Sequence, residues 1–133
     1  MAETLGLNHL GLSVRDLDET TAFFVNVLGW DELARDESYP RNAVTDGVTR
    51  LTLWQVDHAN PVQAFDRRQN VGLHHLALTV ESEEKLNALA LAVAAYPGAQ
   101  IEFVPELMGT GPRKHFIFRE PGGLRLELVW AGE

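Results

Sequence analysis

The chain contains two copies of one pattern, and this constrains its fold more than any other feature. The stretch NHLGLSVRDLDETTAFFVNVLGW, from Asn8 to Trp30, matches HHLALTVESEEKLNALALAVAAYPGA, from His74 to Ala99, in residue type and order. A repeat of this length implies one supersecondary unit used twice. A second anchor follows, because RLTLW from Arg50 to Trp54 matches RLELV from Arg125 to Val129. His9 aligns with His75 at an offset of 66 and Thr52 with Glu127 at 75, so the second copy carries nine extra residues. The Gly-rich loop Met108 to Pro112 is the place for much of that insertion.

Each copy reads as βαβββ. In the first, Leu10, Leu12 and Val14 alternate with His9, Gly11 and Ser13, the period of a strand with one buried face. Asp16 or Asp18 then caps a helix carrying Leu17, Thr21, Phe24 and Leu28 at helical spacing, and Gly29 stops it. Strands are predicted over Trp30 to Asp36, Asn42 to Thr45 and Val48 to Val56, the last two joined by the hairpin signal Asp46-Gly47. The second copy repeats the order: a strand over Leu73 to Val80, a helix from an N-cap at Ser82 to a stop at Pro97-Gly98, then three strands. The expected fold is therefore α+β. Two tandem βαβββ modules, about 5–56 and about 71–131 with a connector at about 57–70, form a single domain over 1–133. Together they are expected to make a cup-shaped eight-stranded mixed sheet with the helices on its outer face.

Composition narrows the function. The net charge of −8 argues against a phosphate-backbone binder, so no nucleic-acid partner is expected. No segment approaches the ~18 apolar residues of a membrane span, and no basic, apolar leader opens the chain, so a cytoplasmic protein is the default. There is no cysteine, so any metal ligand must be imidazole or carboxylate.

Strand alternation then sorts the polar residues. His9 and His75 hold equivalent positions in the two opening strands, facing away from the leucines. Arg125 and Glu127 share the cup face of the last strand, as Arg50, Thr52 and Trp54 do in the matching strand, while Phe116 and Phe118 send His115 and Arg119 cupward. His9, His75 and Glu127 make a metal-ligand set for one divalent ion, Fe, Mn, Zn, Ni or Co, with Thr52 at the fourth related position leaving it open. The alternative is that Glu127 pairs with Arg50 or Arg125 and no metal is held. His115 is either an acid/base or substrate contact or a plain strand histidine. His74, at the edge of its strand on the opposite face, and His58, in the connector, read as structural or solvated.

The segments NHLGLSV, GLHHLALTV, the GTG loop, FIFREPGG and LRLELVW together resemble the vicinal-oxygen-chelate superfamily of glyoxalases, bleomycin-resistance proteins and extradiol dioxygenases. The resemblance implies a paired βαβββ cup, completed in a homodimer, with a metal at His9, His75 and Glu127 chelated by adjacent oxygens of a substrate. Thr52 stands where glyoxalase-type lyases carry a carboxylate, and three ligands resemble those of the ring-cleaving dioxygenases. The expected function is a metal-dependent enzyme of dioxygenase-like or lyase/isomerase chemistry. Its small anionic substrate is held by Arg50, Thr52, Trp54, Arg119 and Arg125, with His115 catalytic. The rival expectation is a metal-poor small-ligand-binding or resistance protein on the same fold.

Overall fold

The computed structural model describes residues 1–133. The chain divides into two compact units, Met1–Val62 and Gln63–Glu133.

The first unit contains β1 (Leu10–Val14), α1 (Leu17–Asn26), β2 (Asp31–Glu32), β3 (Arg41–Thr45) and β4 (Arg50–Gln55). Its four strands are ordered β1-β4-β3-β2, with β1 parallel to β4 and the other neighbours antiparallel. The helix begins where two otherwise unsatisfied N–H groups find acceptors. Glu19 N–H donates to Asp16 Oδ1 at 2.9 Å, and Leu17 N–H to Gln55 Oε1 at 2.9 Å. Asp16, rather than Asp18, is thus the cap. Gly29, at φ 71°, turns the chain so that Trp30 N–H reaches Phe24 O at 3.0 Å and the Trp30 ring packs edge-on against Phe24. Leu17, Phe23 and Phe24 meet Leu12, Val14, Val44, Leu51 and Leu53, all buried. Each such side chain contributes about 1.5–3 kcal/mol of burial.

The second unit contains β5 (Leu76–Val80), α2 (Glu83–Ala95), β6 (Gln100–Leu107), β7 (Lys114–Arg119) and β8 (Arg125–Trp130). Its order, β5-β8-β7-β6, repeats the first, again with one parallel pair, β5 with β8. Ser82 Oγ accepts from Lys85 N–H at 3.0 Å and opens α2, as the sequence predicts. Leu86, Ala90 and Val93 of the helix cover Phe116, Phe118, Leu126 and Leu128. Lys114, on the helix side of β7, forms an ion pair with Glu83 of α2. The turn into β8 is closed by buried Glu120, whose Oε1 accepts from Leu124 N–H at 3.0 Å.

The eight-stranded cup-shaped sheet expected from the sequence does not form. The strands pair into two separate four-stranded sheets, each open and neither strongly curled. Alternation assigns each side chain to a face, but says nothing of which strand edges hydrogen-bond to one another. Here every ladder closes within its own module. The predicted strand from Trp30 to Asp36 shrinks to Asp31–Glu32 plus an isolated bridge from Asp36 to Arg41. No helix of the chain is long and apolar enough to cross a membrane.

Candidate functional site on the open face of the second sheet

Residues opposite one another in an antiparallel pair share a face. β7 and β8 pair His115 with Val129, Ile117 with Glu127 and Arg119 with Arg125, so all six lie on the face turned away from α2. Ala77 of β5 is level with Glu127, and His75 precedes it by two residues.

At the centre stands Glu127, with only 6% of its surface exposed. Its Oε2 lies 2.5 Å from His115 Nδ1, and its Oε1 lies 3.5 Å from His75 Nε2. An ionised carboxylate only accepts, so His115 donates through Nδ1–H and a neutral ring carries its lone pair on Nε2. The second imidazole is set by its other neighbours. Arg125 Nη1 donates to His74 Nδ1 at 3.3 Å, and a guanidinium never accepts. His74 Nδ1 is therefore an acceptor, and the 2.8 Å contact with His75 Nδ1 has His75 as donor. A neutral His75 then presents a lone pair at Nε2 beside Glu127 Oε1. Two acceptors, His75 Nε2 and Glu127 Oε1, stand side by side 3.5 Å apart. The Phe103 ring, 5.0 Å from that of His115 between centroids, adds an apolar wall.

On the same face Glu102 gathers the arginines. Arg125 holds its carboxylate with Nε at 2.9 and 3.1 Å and Nη2 at 2.8 Å, and Arg119 Nε lies at 3.6 Å. The Arg125 hydrogen bonds lower the Glu102 pKa, with further help from the charges of Arg67 and Arg119, and the same bonds raise that of Arg125. Loss of solvation and the positive charge of Arg125 lower the His74 pKa.

This arrangement corrects the expected metal centre. Nowhere in the chain are three or more His, Cys, Asp or Glu side chains gathered so as to hold a metal ion. His9 is exposed in the first unit and bonds Asn8 Oδ1 through Nδ1 at 2.7 Å. Glu127 offers Oε2 to an imidazole N–H instead of turning it to a common centre with the histidines. The donor set does not fit the single divalent ion expected from the sequence, whether Fe, Mn, Zn, Ni or Co. The metal-dependent enzyme, dioxygenase-like or lyase/isomerase, falls with it.

The remaining expected contacts are divided between the units. In the first, Thr52 Oγ1 accepts from Trp54 Nε1 at 2.9 Å, Arg41 lies over the Trp54 ring at 5.2 Å from its centroid, and Tyr39 meets that ring edge-on. Arg50 is exposed and forms no ion pair there. In the second, Arg119 and Arg125 converge on Glu102. Sequence reasoning did not find Glu102, Phe103 or Arg67. Alternation in Ile101-Glu102-Phe103-Val104 marks a strand, but a register shift between Ile101 and Phe103 upsets its assignment of faces. His74, expected on the opposite face, instead joins His75 to Arg125, because it precedes β5 and is not bound by that strand's alternation.

Comparison with known proteins agrees with the repeated architecture. A curated relative, 2-epi-5-epi-valiolone epimerase from Actinomyces sp., is 26% identical over 147 aligned positions, covering 94% of this chain and 79% of the relative. Among solved structures, a glyoxylase/bleomycin resistance protein/dioxygenase domain from Frankia sp. EAN1pec superposes with a TM-score of 0.82 at 26% identity, over 97% of this chain and 93% of that one. The fosfomycin resistance protein FosX from Listeria monocytogenes shares the fold, with a TM-score of 0.73 at 20% identity over 96% and 93% of the two chains. The family profile of these proteins matches residues 6–128, and the chain belongs to the Glyoxalase/Bleomycin resistance protein/Dioxygenase superfamily.

Proposed function

We propose that this chain is a small-molecule-binding protein of its superfamily, with the ligand seated on the open face of the second sheet above Glu127. One observation carries the reading: a buried carboxylate is fixed through Oε2 by His115, and its Oε1 stands 3.5 Å from His75 Nε2, two neighbouring acceptors on one face of the sheet. Such a set recognises a ligand that brings donors, as hydroxyl groups do. Phe103 supplies the apolar surface against which a small ring or chain packs. His115, expected from the sequence to act in catalysis, serves in this reading as a ligand contact oriented by Glu127. The name of the epimerase relative supports a small-molecule ligand without specifying which.

The same reading takes the protein as a cytoplasmic homodimer. Val104 and Leu107, large apolar side chains 68% and 50% exposed on edge strand β6, support self-association. Sedimentation of the purified chain tests that part.

A panel of neutral hydroxylated and aromatic molecules, followed through the NMR signals of His115 and Phe103, tests the ligand site. Saturable shifts in the wild type that weaken in Glu127→Gln are expected. If no member produces a saturable shift, or if Glu127→Gln binds equally well, the reading is wrong.

A further inference from the structure

Resting on that reading, we propose that the site takes a small hydroxy acid, and that Glu102 occupies the place of the ligand's carboxylate until the ligand displaces it.

The carboxylate of Glu102 sits in the guanidinium fork of Arg125 through three contacts of 2.8 to 3.1 Å, the geometry with which arginine receives a carboxylate from outside the protein. Arg119 approaches Glu102 Oε1 through Nε at the longer distance of 3.6 Å, with its side chain 45% exposed. Glu102 is its one ion-pair partner. Arg67, half-buried and without an ion pair of its own, acts electrostatically on both Glu102 and His74. The charges of this corner do not balance. Arg67, Arg119 and Arg125 face Glu102 and Glu127, whose charge reaches Arg125, and one cation is left over. That surplus stands on a chain whose formal net charge is −8, so the corner is a local exception to an acidic surface.

Glu102 is also placed where it can leave. It lies on β6, at the edge of the second sheet, between Ile101 and Phe103, where the register with β7 shifts and Glu102 has no ladder partner. At such a bulge the extra residue is left out of the ladder, so displacing its side chain costs no ladder pairing. The fork and the acceptors adjoin through a continuous contact, because Arg125 bonds His74, His74 bonds His75, and His75 faces Glu127. A carboxylate at Arg119 and Arg125 therefore puts a nearby hydroxyl of the same ligand within the region of His75 Nε2 and Glu127 Oε1. The ligand class follows from this adjacency of cationic donors and neutral or anionic acceptors.

The test uses mandelate and its neutral isostere mandelamide as probes of the full chain, with NMR signals read at the Arg119 and Arg125 Nε–H groups and at His115. Wild type should bind mandelate saturably and mandelamide about tenfold or more weakly, as expected when a charge-assisted fork is lost. Arg119→Ala should lose about tenfold in mandelate affinity, and Glu102→Gln should gain about tenfold, since the competing anion is gone. Arg67→Ala, away from the fork, provides a second variant in which affinity falls if Arg119→Ala proves unstable. Equal binding of the two probes at His115, with Arg119→Ala unaffected, would overturn the hydroxy-acid assignment while leaving the small-molecule reading in place. A Glu102→Gln variant that binds mandelate no better than wild type would overturn the displacement. Absence of binding by mandelate in both wild type and Glu102→Gln would overturn the whole inference, and the neutral panel above then judges the underlying reading separately.

Discussion

His115 Nδ1 lies 2.5 Å from Glu127 Oε2, and this contact makes a buried carboxylate tolerable on a strand whose flanking residues are leucines. A charge that loses its partner in such a place costs several times what the pair contributes when intact. His115→Ala should therefore destabilise the fold by about 1–3 kcal/mol in urea unfolding. His115→Ala combined with Glu127→Leu should recover much of the loss, because the orphaned charge is removed together with its partner. A single variant as stable as wild type would show that water satisfies Glu127 equally well.

A second prediction concerns Arg35, which pairs with Glu32 at 2.8 Å and Asp18 at 2.7 Å in the first unit. The hydrogen bond from Arg35 lowers the Glu32 pKa below the ordinary carboxylate value. The native state thus favours ionised Glu32 more than the unfolded chain does. Its stabilisation is fully present above the unfolded pKa and is lost as pH falls through the folded one. Arg35→Met should cost about 0.5–1 kcal/mol at pH 7, with most of that difference gone near pH 3. Chemical denaturation of both proteins across that range is the check, and a difference that widens in acid would contradict the assignment.

The floor beside Trp54 yields a third. A Cβ placed on Gly11 would lie 3.2 Å from Thr52 Oγ1 and 3.7 Å from Trp54 Nε1. Gly11→Ala should push the Thr52 hydroxyl aside and weaken its 2.9 Å bond from Trp54. The expected outcome is a displaced Trp54 indole N–H resonance with less than about 1.5 kcal/mol lost, since the crowding involves one side chain rather than backbone. An unmoved resonance would mean that the space adapts elsewhere.

A fourth prediction rests on Asn42, 2% exposed beneath α1. Its Nδ2 donates to Thr21 Oγ1 at 2.8 Å and to Glu32 Oε2 at 2.6 Å, whereas its Oδ1 has no partner. Asn42→Asp would replace two donors by an acceptor facing Glu32, so a loss of about 2–4 kcal/mol at neutral pH is expected. Thr21→Val removes one acceptor only and should cost about 1 kcal/mol. Thermal unfolding should rank wild type above Thr21→Val and both above Asn42→Asp.

The sequence was most informative where the physics is local. The repeat from Asn8 and from His74 announced two equivalent modules, and each built a four-stranded sheet with the same strand order. Leucine alternation put Leu126 and Leu128 beneath α2 and Arg125 and Glu127 on the other face, as the ladder confirms. The cap at Ser82 and the stop at Gly29 were equally legible, because a cap answers to donors within one turn of chain.

Tertiary structure decided what lateral contact determines. Residue type and face made His9, His75 and Glu127 look like a ligand set, yet Glu127 gives an oxygen to His115, a diagonal neighbour across β7 and β8. Which of several histidines meets a carboxylate depends on strand register and side-chain rotamer, neither of which is written in a two-residue period. Glu102 escaped for a related reason, since the shift in β6 breaks the alternation that would have placed it beside Arg125. The sequence by itself determined two βαβββ modules and the faces of residues on regular strands, Arg125 and Glu127 among them. Only the fold decided that Glu127 answers to His115 and Arg125 to Glu102, because partner choice across strands is fixed by packing distances between segments far apart in the chain.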